Sequence, residues 1–94
     1  MKSNTFRFSA YIIKENGVYV AICPDLDIVT EGATKALAKA NLAEAAALYI
    51  ESAIESNLPV LRPIPADLDV SLNHPEEVLE RFPLHIDCKV EAYA

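Results

Sequence analysis

Apolar and polar side chains alternate from Thr5 to Lys14, with Phe6, Phe8, Ala10 and Ile12 on one face and Arg7, Ser9 and Tyr11 on the other. A period of two is the pattern of a half-buried strand. Glu15-Asn16-Gly17 supplies a tight turn, because Asn and Gly tolerate the left-handed backbone a two-residue hairpin needs. A second strand follows from Val18 to Cys23, with Val18, Val20 and Ile22 on one face and Tyr19, Ala21 and Cys23 on the other. Pro24 fixes its own φ and lacks an N–H, so this strand ends there. The β-branched run Ile28-Val29-Thr30 predicts a short third strand over Asp27 to Glu31, and a meander is the simplest assembly.

The period then changes. Gly32 permits a positive φ, and Thr34 is placed to cap a helix running to about Ser56 without an internal Gly or Pro. At 100° per residue, Leu37, Ala38, Leu42, Ala45, Leu48 and Tyr49 gather on one face, the expected sheet-facing stripe. Ala36, Ala40, Ala43, Ala47, Ile50 and Ile54 form a second, small-residue face, and Glu44, Glu51 and Glu55 a charged stripe. A helix apolar on most of its circumference is covered on more than one side. The second face is therefore a candidate interface with another copy of the chain, with the Pro-rich segment and the C-terminal elements as the alternatives. Asn57 is placed to end the helix in Gly's stead.

Pro59, Pro63 and Pro65 predict an extended path after the helix, with Val60, Leu61 and Ile64 packing down. Asn73, Pro75, Glu76 and Glu77 carry the start signals of a short helix from about Pro75 to Phe82. A last strand is expected from Leu84 to Tyr93, where Ile86, Cys88, Val90 and Ala92 alternate with His85, Asp87, Lys89 and Glu91. The order β-β-β-α-(short α)-β describes a single α+β domain with one long helix on a small sheet.

Composition narrows the function. The net charge of −6 and scattered basic residues argue against nucleic acid as the ligand, and fit equally a basic protein partner or a charge that simply keeps the domain in solution. An apolar content of 52% excludes disorder and leaves surface for self-association. Two cysteines outside any clustered motif, no secretory signal and no long apolar run predict a cytoplasmic protein with no membrane association.

Candidate chemistry concentrates at Cys23-Pro24-Asp25-Leu26-Asp27. A nucleophilic cysteine needs a base, and the two histidines, His74 and His85, lie in a cap and on a polar strand face. Cys23 therefore reads as a small buried hydrophobe. Asp25 and Asp27, with Glu31 or Glu44, are permitted as magnesium ligands, but an Asp after Pro more often shapes its own loop. No phosphate-binding loop, nucleophile elbow or zinc spacing is present. No catalytic residue, metal or cofactor is expected.

From Tyr19 to Tyr49 the chain resembles the HicB-like antitoxin family. The resemblance rests on Ala21-x-Cys23-Pro24-Asp25-Leu26-Asp27, on Glu31-Gly32-x-Thr34, and on Ala40-Asn41-Leu42-x-Glu44-Ala45 followed by Leu48-Tyr49. Together with the upstream hairpin and the final strand it extends over most of the chain. It implies a partial RNase H-like sheet without that fold's catalytic carboxylates. It also implies a non-enzymatic role, in which an acidic antitoxin covers a small, basic, mRNA-cleaving HicA-like toxin. In that family Cys23, Pro24, Asp25, Leu26, Gly32, Thr34, Asn41, Leu42 and Tyr49 correspond to residues that mark the fold. Many members carry a C-terminal DNA-binding domain; with the chain stopping at Ala94, direct operator binding is not expected. The reading is thus an antitoxin, a homodimer or larger, meeting its partner through Glu44, Glu51 and Glu55. The alternatives are an orphan interaction module with another partner and a metal-dependent nuclease.

Overall fold

The structure, a computed structural model, describes the backbone of residues 2–90 and the side chains of residues 5–87. Strands β1 (Lys2–Glu15), β2 (Val18–Cys23) and β3 (Ile28–Gly32) form the expected meander. After helix α1 (Lys35–Glu55) and short helix α2 (Val70–Asn73), strand β4 (Glu80–Val90) returns antiparallel beside β1. The sheet order is β3-β2-β1-β4, which makes this an α+β fold with one antiparallel sheet.

Local chemistry explains most element ends. Asn16 (φ 49°) and Gly17 (φ 83°) both take left-handed conformations in the β1–β2 turn, where Glu15 faces Val18. The Thr34 side chain accepts from the Leu37 N–H at 3.1 Å and caps α1. At the other end Asn57 (φ 57°) takes the left-handed position, with Leu58 N–H bonded to Ala53 O at 2.8 Å and Asn57 N–H to Ile54 O at 3.1 Å. Those two bonds satisfy carbonyls that the last turn would leave open.

Both faces of the sheet carry buried clusters, the second over only part of its length. On the first, Phe8, Ala10, Ile12, Ala21, Cys23, Leu84 and Ile86 pack against α1 together with Leu26. On the second, Tyr11, Ile13, Val20 and Ile22 lie beneath Val70 and Val78. The chain reaches that second face by way of its proline-rich stretch. Arg62 N–H bonds Asp25 O at 2.8 Å and Ile64 N–H bonds Pro24 O at 3.0 Å, so the stretch is laced to the β2–β3 loop as it passes. It then turns through Ala66–Leu68, α2 and Pro75–Glu77 before β4.

Three expectations are corrected. The core stripe of α1 is Ala38, Leu42, Ala46, Ile50 and Ala53, whereas Leu37 and Leu48 stand 47% and 61% exposed. Alanine at so many positions gives little contrast around the helix, so packing against the sheet selects the face. Gly32 has no positive φ. It is required because a Cβ there would lie 2.5 Å from the Ala38 backbone nitrogen, where β3 runs into α1. The helix expected from Pro75 to Phe82 is a single turn at Pro75–Glu77, and the true short helix lies earlier, capped by Asp69. From Glu80 onward, pairing with β1 captures the chain as strand, and Pro83 is tolerated because β4 is an edge strand. Residues 91–93 of the expected last strand fall outside the described residues. Finally, Val60 and Ile64 are partly buried as expected, but Leu61 is exposed.

Candidate functional site

The loop after β2 holds Cys23, Asp25 and Asp27, and its geometry is architectural. Cys23 is fully buried, and burial pushes its thiol up to about 11, so the reactive thiolate is suppressed near neutral pH. Asp25 and Asp27 are exposed, and Asp27 holds a left-handed φ of 54° that its short polar side chain tolerates. Leu26 is fully buried between them, and its carbonyl accepts from Arg62 Nε at 3.2 Å. The loop thus anchors the proline-rich stretch. Among the described residues, Asp25 and Asp27 join no group of converging ligand atoms; the one such group is His74, Glu76 and Glu77, all exposed. His85 is also exposed, on the second face of the sheet opposite Arg7.

The remaining motif residues also do structural work. Asn41 Nδ2 donates to Glu31 O at 2.8 Å and ties α1 to β3, beside the bond from Thr30 Oγ1 to Ala38 O at 3.0 Å. Leu42 is fully buried in the core. The Tyr49 hydroxyl donates to Pro59 O at 3.2 Å, and the Arg62 guanidinium lies 4.6 Å from the centre of the Tyr49 ring. This pair clamps the proline-rich stretch against the last turns of α1.

What α1 leaves outward is a mixed surface. At about 100° per residue, Leu37, Glu44, Leu48, Glu51 and Glu55 fall within an arc of about 60°, directly away from the buried stripe. All five are exposed. Among the described residues none of these three glutamates has an ion-pair partner. The face therefore combines free negative charge with two large apolar side chains, whereas a merely solvated helix face needs no leucines.

The proposed small-residue interface divides. Ile50 is fully buried in the chain's own core and is unavailable to a second copy. Ala43, Ala47 and Ile54 are partly buried against that core, and Ala36 and Ala40 are exposed.

Sequence reasoning missed the polar cluster at Asp69. This buried carboxylate accepts on Oδ1 from the Tyr11 hydroxyl at 2.9 Å, Ser71 N–H at 2.9 Å and Ser71 Oγ at 2.7 Å. Burial first, then the bond to Asp69, pushes the Tyr11 hydroxyl up to about 12. The Asp-Val-Ser spacing is a helix-cap signal, and it was outweighed by the Asn-His-Pro-Glu-Glu signal that follows it.

No helix among the described residues is long and apolar enough to cross a membrane. In comparison with known proteins, no family model, curated protein or solved structure matches the chain.

Proposed function

We propose that the chain acts as a HicB-like antitoxin, a non-enzymatic protein that binds a small, basic HicA-like toxin and covers its RNA-cleaving surface. The observation that supports this most is the outward face of α1. Leu37 and Leu48 offer apolar contact there, and Glu44, Glu51 and Glu55 carry unpaired charge beside them. Negative charge steers a basic partner into encounter, and the desolvated leucines supply the holding contact. The acidic balance of the whole chain supports the same partner class. The partial RNase H-like identity of the sheet and self-association as a homodimer or larger belong with this reading.

The test is to ask whether a neighbouring reading frame encodes a small basic protein and, where one does, to co-express it with this chain. Co-purification is expected, with loss of the complex on the combined Glu44→Lys, Glu51→Lys and Glu55→Lys change and separately on Leu48→Ser. Both variants should keep the wild-type circular dichroism spectrum, because all four side chains are exposed. A complex that survives both changes would remove this face from the interface, and absence of any basic partner would end the antitoxin reading.

A further inference from the structure

The segment that closes the second face of the sheet covers only part of it. Val70 and Val78 lie over Tyr11, Ile13, Val20 and Ile22, whereas Arg7 and Ser9 of β1 and Arg81, Pro83 and His85 of β4 are exposed on the same face. Where the cover stops, a groove of about 580 Å³ runs along the two strands. Register places Ser9 opposite Pro83 on its floor, with Tyr11 opposite Arg81 toward one end and Arg7 opposite His85 toward the other. Ser71 of α2 and Asp25 of the β2–β3 loop complete the rim.

The charge of this groove runs against the rest of the chain. The net charge is −6, yet among the described residues neither Arg7 nor Arg81 has a carboxylate in ion-pair range. Arg81 reaches only the Ser71 carbonyl, at 3.4 Å. The two register positions, Arg7 and Tyr11, are four residue steps apart, about 13 Å along β1. An extended peptide places its residues i and i+4 the same distance apart.

We propose that this groove binds an extended acidic peptide segment of a partner protein, with carboxylates on Arg7 and Arg81. Arginine suits this role because its planar donors engage a carboxylate in pairs. The carboxylate on the rim, Asp25, disfavours a compact free anion and suits a ligand whose backbone N–H groups donate to it. The groove lies on the sheet face opposite α1, so it serves a contact separate from the one proposed for Glu44, Glu51 and Glu55.

Fluorescence anisotropy of a labelled, amidated peptide Ala-Glu-Ser-Ala-Ser-Glu-Ala, titrated with the full chain at low salt, tests this. Saturable binding is expected, weakened about tenfold by Arg7→Gln or by Arg81→Gln and lost in the double variant. Loss is also expected with Ser9→Asp, a second exposed position that puts negative charge on the floor. The same peptide with Gln in place of both Glu residues should not bind. Equal binding of that control, or unchanged binding by the arginine variants, overturns the proposal. So does self-association of the free chain that Arg7→Gln disperses, which would make a second copy the occupant. Glu44→Gln, Glu51→Gln and Glu55→Gln together should leave peptide affinity unchanged, so failure at the helix face and failure at the groove are told apart.

Discussion

Tyr11 and Asp69 stand 58 positions apart in sequence and meet through a 2.9 Å hydrogen bond between the sheet and the cap of α2. The same carboxylate oxygen holds the Ser71 N–H and hydroxyl, so one side chain fixes the covering segment to the strand beneath it. Removing it leaves a buried hydroxyl and an uncapped amide, and an unsatisfied buried donor costs about 1–3 kcal/mol. Asp69→Ala should lower stability by that order in urea denaturation. It should also speed hydrogen exchange at the amides of Val70–Asn73 before the sheet amides respond. Equal acceleration across sheet and segment would show that the cover is not a separately opening unit.

The tyrosine makes a pH prediction of definite sign. Its hydroxyl titrates near 10.0 when unfolded and near 12 in the fold, so the folded chain retains a proton that the unfolded chain has released between those values. The stabilisation is fully present below pH 10 and disappears as pH rises to about 12. Urea midpoints measured across that window should fall more steeply for wild type than for Tyr11→Phe. Parallel slopes would show that neither burial nor the bond to Asp69 raises the group.

Gly32 and Gly17 are required for different reasons, and substitution separates them. Gly17 has open space around its missing Cβ but a φ of 83°, so Gly17→Asn should meet no clash and cost only the strain of a left-handed residue, about 1 kcal/mol. At Gly32 the obstacle is backbone, with the Ala38 nitrogen 2.5 Å from where a Cβ would sit. Gly32→Ala should therefore cost about 1–3 kcal/mol by forcing β3 and α1 apart. Thermal melts of the two variants give the comparison, and a harmless Gly32→Ala would refute the close approach.

The face that α1 turns to the sheet is tested by two aliphatic truncations. Ile50→Ala empties a fully buried position and should cost about 2–5 kcal/mol. Leu48→Ala, at a site 61% exposed, should stay within about 0.5 kcal/mol. The reverse order in chemical denaturation would restore the stripe expected from sequence.

Cys23 should behave as packing. In a Cys88→Ser background, thiol labelling at about pH 8 should be slow in the folded chain and immediate in denaturant, because the thiol is buried and titrates near 11. Rapid labelling of the native chain would reopen the case for a reactive cysteine.

The sequence by itself determined the local elements of this protein. Period-two alternation gave the faces of β1 and β2, and of β4 over residues 84–87, Asn16-Gly17 gave the turn, and Thr34 and Asn57 bounded α1. Each of these depends on neighbours in the chain, where steric and hydrogen-bonding preferences act without help.

Tertiary structure decided what local preference left balanced. An alanine-rich helix has nearly equal faces, and only contact with the sheet chose Ile50 over Leu48 for the core. That choice turned Leu48 outward beside Glu44, Glu51 and Glu55 and changed a charge stripe into a mixed surface. Residues 75–82 carried helix signals, but pairing with β1 took Glu80 onward into strand. The groove between Arg7 and Arg81 has no local signature at all. It exists because β4 returns beside β1 and because the segment held by Tyr11 and Asp69 stops short of covering both strands.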